Sequence, residues 1–254
     1  MSPNARYLAI LWVVVGAIFA FVASLYARSV VDGDYVMVAA GVVGVGILVV
    51  ALGCRARRRL RQLLQCETPV PLVQFYERTM GSTLIPNGDA LLSHSSALAY
   101  TLYADYPAAR AALARVAWNE RPPLVRALRR SVEALLCYFD TQEYARGLDL
   151  AESAKELAAI PALFPGARTA AAAHESYGEI GQVLCGKSTE ATVASLERKM
   201  ASLPLIGRLL VAWGLAIAYS QRGNTAKAED MLAFVRKYAP HCRAVTSMPT
   251  VTVA

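Results

Sequence analysis

The sequence is poor in the groups that do chemistry. It has three histidines, His94, His174 and His241, and none has a second histidine four residues on. His174-Glu175 lacks the closing residue of HExxH, so no zinc site is expected. The three are read as ordinary surface or groove side chains. No GxSxG nucleophile turn occurs. Five cysteines, Cys54, Cys66, Cys137, Cys185 and Cys242, are scattered, with no CxxC pair. An odd set without ligand spacing fits free structural thiols in a reducing compartment. Charge is also scarce, at 18% of residues. Runs of alternating β-branched residues are missing, which argues against strands. Only the tail AVTSMPTVTVA reads as extended. No catalytic residue, metal or cofactor is assigned.

The net charge of +7 conceals a division. Residues 1–61 hold seven Arg and two Asp, a net +5, and the other 193 residues carry only +2. A nearly neutral body does not suit nucleic acid, whose binding needs a basic face to replace phosphate counterions.

What is abundant is apolar sequence. Residues 7–27 and 35–54 contain no charged residue. About 20 apolar residues cross a ~30 Å hydrocarbon core as a helix. The sequence therefore predicts two transmembrane helices joined by a short hairpin through Gly33. Gly16, Ala20 and Ser24, with Ala40 and Gly44, offer faces for close helix contact or an oligomer. Arg55, Arg57, Arg58, Arg59 and Arg61 follow the second run, at the expected membrane surface. Basic flanks stay on the cytoplasmic side, so both termini are expected in the cytoplasm of a multi-pass inner-membrane protein. The same arginines would meet anionic lipid.

Beyond residue 61 the spacing is helical. Thr68–Met80 reads as a helix capped by Thr68 with Pro69 at its first position and Gly81 after its end. Residues 62–88 are expected to be a linker containing this helix, 89–242 the helical domain, and 243–254 an extended tail.

That domain repeats itself. In GLAIAYSQRGNTAKAEDMLAFVRKYAP, a small residue, Ala216, precedes Tyr219 by three. Gly223 turns the chain, Ala228 follows, and Pro240 closes the unit. The ruler also fits Ala97, Tyr100, Ala104 and Ala109. It fits Tyr138, Gln142 and Gly147 less well, and Gly186 with Ala191 least well. The expected turn positions 104, 142, 186 and 223 lie 38, 44 and 37 residues apart. This pattern resembles the tetratricopeptide repeat, whose usual period is about 34 residues. The resemblance covers roughly residues 84–240. It implies an all-α chain: the two-helix transmembrane hairpin, then an α-solenoid of about four helix pairs. Ala97, Tyr100, Ala109, Tyr138, Ala216, Tyr219, Gly223 and Ala228 would be its packing positions.

The resemblance further implies that the first helix of each unit lines a groove for a protein partner. The positions carried over are His94, Leu98, Thr101 and Leu102 from the first unit. Arg129, Val132, Leu136, Phe139 and Asp140 come from the second, and Trp213, Ile217, Ser220 and Gln221 from the last. The set is largely apolar and suits an apolar or extended peptide. Trp213 is the leading contact candidate, and the apolar strip Val251–Val253 is a rival that would cover it.

One motif stands apart. Residues Gly181–Ser188 satisfy GxxxxGK[ST], the pattern of a phosphate-binding loop. The preceding AAAAHESYGEI is helical in pattern, where a nucleotide site needs a buried strand. The expected function is a non-enzymatic, membrane-anchored scaffold that recruits or assembles protein partners. A nucleotide-binding regulator or enzyme using this loop, and a structural subunit of a larger membrane complex, are the alternatives.

Overall fold

The computed structural model describes residues 51, 53–81, 85–159 and 167–248. The chain divides into two compact units, 1–60 and 61–254. Of the first unit, residues 53–60 are helical, and Arg55, Arg57, Arg58 and Arg59 are exposed on them.

The expected localisation, a multi-pass inner-membrane protein, is corrected. Among the described residues no helix is long and apolar enough to cross a membrane. The runs 7–27 and 35–54, with the small-residue faces Gly16/Ala20/Ser24 and Ala40/Gly44, lie almost wholly outside the described residues.

The second unit is all-helical, with no strand among the described residues. Its elements are α1 (Val70–Met80), α2 (Gly88–Leu102), α3 (Tyr106–Leu113), a 3-10 turn (Trp118–Glu120), α4 (Pro123–Leu136), a π-helical turn (Cys137–Thr141), α5 (Tyr144–Ala158), α6 (Ala167–Leu184), α7 (Glu190–Ser202), α8 (Leu205–Gln221), α9 (Thr225–Tyr238) and α10 (Arg243–Thr246). From α2 onward they form four successive helix–turn–helix pairs, α2/α3, α4/α5, α6/α7 and α8/α9. The first helices of neighbouring pairs touch, α2 on α4, α4 on α6 and α6 on α8. The second helix also packs along the next first helix, α5 on α6 and α7 on α8.

Each pair turns at an expected position. Ala104, Gln142, Gly186 and Gly223 have φ of +61°, +56°, +67° and +73°. Three of the turns share one closure. The Asp105 N–H donates to the Tyr100 carbonyl at 2.9 Å, Lys187 N–H to Gln182 at 2.8 Å, and Asn224 N–H to Tyr219 at 2.8 Å. This is the six-residue bond that satisfies orphan carbonyls at a helix end, and it requires a left-handed residue just before the donor. At Gln142 the preceding π-helical turn replaces that closure.

The following helix is capped at once in two pairs. Asp105 accepts from the Ala108 N–H and Asn224 from the Lys227 N–H, both at 3.2 Å. Ala109 and Ala228, four residues past these caps, are buried, as are Ala97 and Ala216. In the third pair the cap is Thr189, which exchanges hydrogen bonds with Thr192. Its turn is thus two residues longer, which shifts the register. Ala191 is exposed, and Val193, four past the cap, is buried in its place.

Two boundaries change. The described residues of the expected linker 62–88 contribute to the core. Leu63, Leu64, Leu72, Val73 and Tyr76 are buried, and the Tyr103 hydroxyl donates to the Cys66 carbonyl at 2.9 Å. The helix there begins at Val70, and Thr68 makes no cap. The expected extended tail starts with the helical turn α10, in which Ala244 and Val245 are buried. Residues 249–254 lie outside the described residues.

Candidate functional site

The groove positions carried over from the resemblance do not form an open surface. Leu98, Thr101, Leu102, Val132, Leu136, Trp213 and Ile217 are buried. His94 donates from Nδ1 to the Leu128 carbonyl at 3.0 Å, tying α2 to α4. The Phe139 ring lies 4.5 Å from the Trp213 ring, and the Trp213 indole N–H donates to the Ser247 carbonyl at 3.0 Å. Gln221 is exposed but donates to the Val183 carbonyl at 3.0 Å, and Ser220 is exposed. The physical reason is that α2, α4, α6 and α8 touch one another. The faces expected to receive a partner are consumed by that stacking and, at Trp213, by the chain after α10. The strip Val251–Val253 lies outside the described residues.

The phosphate-loop match has a different structural explanation. Residues 181–184 are the last turn of α6, and Gly186 is the left-handed turn residue. Gly181 lies against the Tyr138 hydroxyl, and a Cβ there would sit 3.1 Å from Tyr138 Cζ. No strand leads into the motif, and the next helix opens only at Glu190.

The histidines are not all surface residues. His174 is buried, its Nδ1 2.7 Å from the Ser131 hydroxyl. Ser131 donates to the Ala127 carbonyl at 2.8 Å, so its oxygen accepts from His174 Nδ1–H. Burial holds His174 at a pKa of about 4. Burial, with the His174 charge second, lowers His94 to about 4 as well. Both are neutral at pH 7. Burial pushes the Cys242 thiol up to about 12 and raises Cys137 and Cys185. None of the three offers a thiolate at neutral pH. Among the described residues no group of His, Cys, Asp and Glu could hold a metal ion.

A cleft lies elsewhere, between α3, the 3-10 turn, α4 and the start of α5, with a volume of about 680 Å³. Its origin is local. α3 spans only 8 residues, against 15, 13 and 14 for α5, α7 and α9. It stops at Leu113 and, unlike α5 and α7, makes at most slight contact with the helix that follows it. The chain returns through Trp118, which is buried and donates from its indole to the Leu113 carbonyl at 2.7 Å. The outer face of α4 is left partly uncovered, with Arg130 exposed and Arg126, Arg129 and Glu133 half-buried.

That face is amphipathic. Leu113, Trp118 and Leu136 supply apolar, nearly buried lining. Arg110, Arg129, Arg130 and Arg146 line the same cleft. Arg129 and Arg130 share one carboxylate, Glu133, at 2.7 and 3.2 Å. Arg110 pairs with Asp140, and Arg146 with Glu143 at 2.8 Å. Arg126 lines an adjoining hollow of about 230 Å³ together with Trp118, Arg129 and Arg130. Its Nε is buried and finds no hydrogen-bond partner among the described residues. Five guanidiniums thus face three carboxylates. Sequence reasoning placed Arg129, Leu136 and Asp140 in a groove but missed the cleft, because the cleft depends on where α3 ends.

Comparison with protein-family models, with curated proteins and with solved structures finds no match.

Proposed function

We propose that the chain is a divergent tetratricopeptide-like scaffold that binds protein partners and carries no catalytic centre of its own. The observation that carries this reading is the recurrence of the turn. Four helix pairs turn on a left-handed residue at 104, 142, 186 and 223, and three close on the same six-residue hydrogen bond. A stack of helix pairs is approximately one-dimensional, with each pair packed on its neighbours. Such stacks present long surfaces suited to extended partners. The histidines support the same view, since the half-buried His94 and the buried His174 are both engaged in holding helices together.

A photo-crosslinking amino acid placed one site at a time in the full chain, in its native cells, tests the proposal. Ala114, Lys155, Glu190 and Lys227 are exposed and sit on four different helices or their ends. The expected result is adducts to a defined protein from some of these sites and none from the others. No protein adduct from any site would overturn it.

A further inference from the structure

We propose that the cleft under α3 is the docking site for an extended acidic segment of a partner protein, one that alternates carboxylate and apolar side chains. The inference rests on the scaffold reading and names the partner's chemistry.

Three observations converge. The first is exposure by construction: the short α3 leaves the α4 face open where α5 covers the corresponding face of α6. The second is charge. Arg126, Arg129, Arg130 and Glu133 follow one another at helical spacing on α4, and such neighbours share a face. With Arg110 and Arg146 added and Asp140 and Glu143 subtracted, the surroundings keep two positive charges in excess. This excess is local, since the 193 residues beyond 61 carry only +2 in total. The third is the lining. Ala114, which is exposed, and Val116 and Leu150, which are half-buried, give apolar contact between the guanidiniums.

These features favour a peptide over other anions. The guanidiniums are held in separate groups by three different carboxylates, Glu133, Asp140 and Glu143. They are therefore not gathered on one point, as a single phosphate would need. A nucleic acid needs a longer basic track, because its affinity comes from many phosphates neutralised together. A peptide with acidic side chains at alternate positions can pair with Arg130 and Arg146 and lay its apolar side chains on the half-buried Val116 and Leu150. Guanidinium–carboxylate pairs are the strong, geometry-selective kind.

The test is fluorescence anisotropy with the full chain and a labelled Glu-Leu-Glu-Leu-Glu peptide. Its Gln-Leu-Gln-Leu-Gln counterpart, inorganic phosphate and a labelled single-stranded RNA are the comparison probes. Saturable binding of the acidic peptide is expected. It should weaken about tenfold or more in Arg130→Glu and in Arg146→Glu, as loss of one charge-assisted pair implies. Lys237→Glu on α9 should leave it unchanged. Arg130 and Arg146 are exposed, and an unchanged unfolding temperature in either variant shows that the fold is kept. Equal binding by the glutamine peptide, or no loss in both arginine variants, would overturn the proposal. So would full displacement of the peptide by equimolar phosphate, or tighter binding of the RNA at these arginines. If the peptide fails while crosslinks form away from Ala114, the cleft assignment falls and the scaffold reading stands.

Discussion

The Tyr138 ring occupies the space where Gly147 lacks a side chain. A Cβ on Gly147 would lie 2.6 Å from Tyr138 Cδ1, and one on Gly181 would overlap the Tyr138 hydroxyl. The same hydroxyl donates to the Tyr177 carbonyl at 3.0 Å. One tyrosine thus joins α5 and α6 through two glycines and one hydrogen bond.

The two glycines give separable outcomes. Gly147→Ala and Gly181→Ala should each destabilise by roughly 1–3 kcal/mol, the usual cost of overpacking. In a Tyr138→Phe background the hydroxyl is gone. The cost of Gly181→Ala should then fall by about 1 kcal/mol or more, while that of Gly147→Ala, which meets the ring itself, should not. Urea unfolding of the wild type, the three single variants and the two double variants measures both couplings. Equal couplings would contradict the geometry.

Trp213 is a core residue in this structure, 1% exposed and hydrogen-bonded to Ser247. Trp213→Ala should cost roughly 3–5 kcal/mol, as for emptying an aromatic site. Ser220→Ala, on the same helix and exposed, should change stability by less than about 0.5 kcal/mol. A Trp213 variant of normal stability that loses a partner would return this residue to a binding role.

Acid should weaken the fold before the carboxylates titrate. His174 has a folded pKa of about 4, below its ordinary 6.5, because burial disfavours the charged ring. A histidine depressed in this way favours the folded state above the unfolded pKa. Its contribution is lost as pH falls from about 6.5 toward 4, up to about 3 kcal/mol at the acid end. His94 acts in the same direction. Stability followed from pH 7 to pH 5 should decline across that window, and His174→Gln should flatten the decline. A slope unchanged in the variant would show that His174 is not neutral and buried.

Part of this was legible in the sequence. The turn positions were, because a left-handed residue between two helices favours Gly and Ala–Tyr spacing flanks it. The buried alanines Ala97, Ala109, Ala216 and Ala228 follow from the same ruler. Ala191 was misplaced because Thr189 and Thr192 cap each other, and nothing in the spacing marks a turn two residues longer. The groove was misplaced for a non-local reason. Whether Leu98, Val132 or Ile217 faces a partner or a neighbouring helix depends on how closely α2, α4, α6 and α8 stack. The arginine cleft was hidden for the opposite reason: it exists because α3 ends early and fails to pack.

The turns themselves supply the sharpest test of the repeat. Gly186 and Gly223 have positive φ, and a Cβ on either would meet nothing within 4 Å. Any penalty for alanine there is therefore backbone strain alone, roughly 1–2 kcal/mol for a left-handed residue. Ala104 and Gln142 already bear that strain, at φ of +61° and +56°. Ala104→Gly and Gln142→Gly should accordingly stabilise the protein by about 1 kcal/mol each, while Gly186→Ala and Gly223→Ala should destabilise it. Most glycine substitutions loosen a protein by widening the unfolded ensemble, so a gain in stability is a demanding outcome. Thermal unfolding of the four single variants decides it. Opposite signs at the two alanine/glutamine and two glycine positions would mean that all four pairs turn on a left-handed residue. A loss at Ala104 or Gln142 would mean that the first two pairs turn by another geometry, and the repeat would then shrink to α6 through α9.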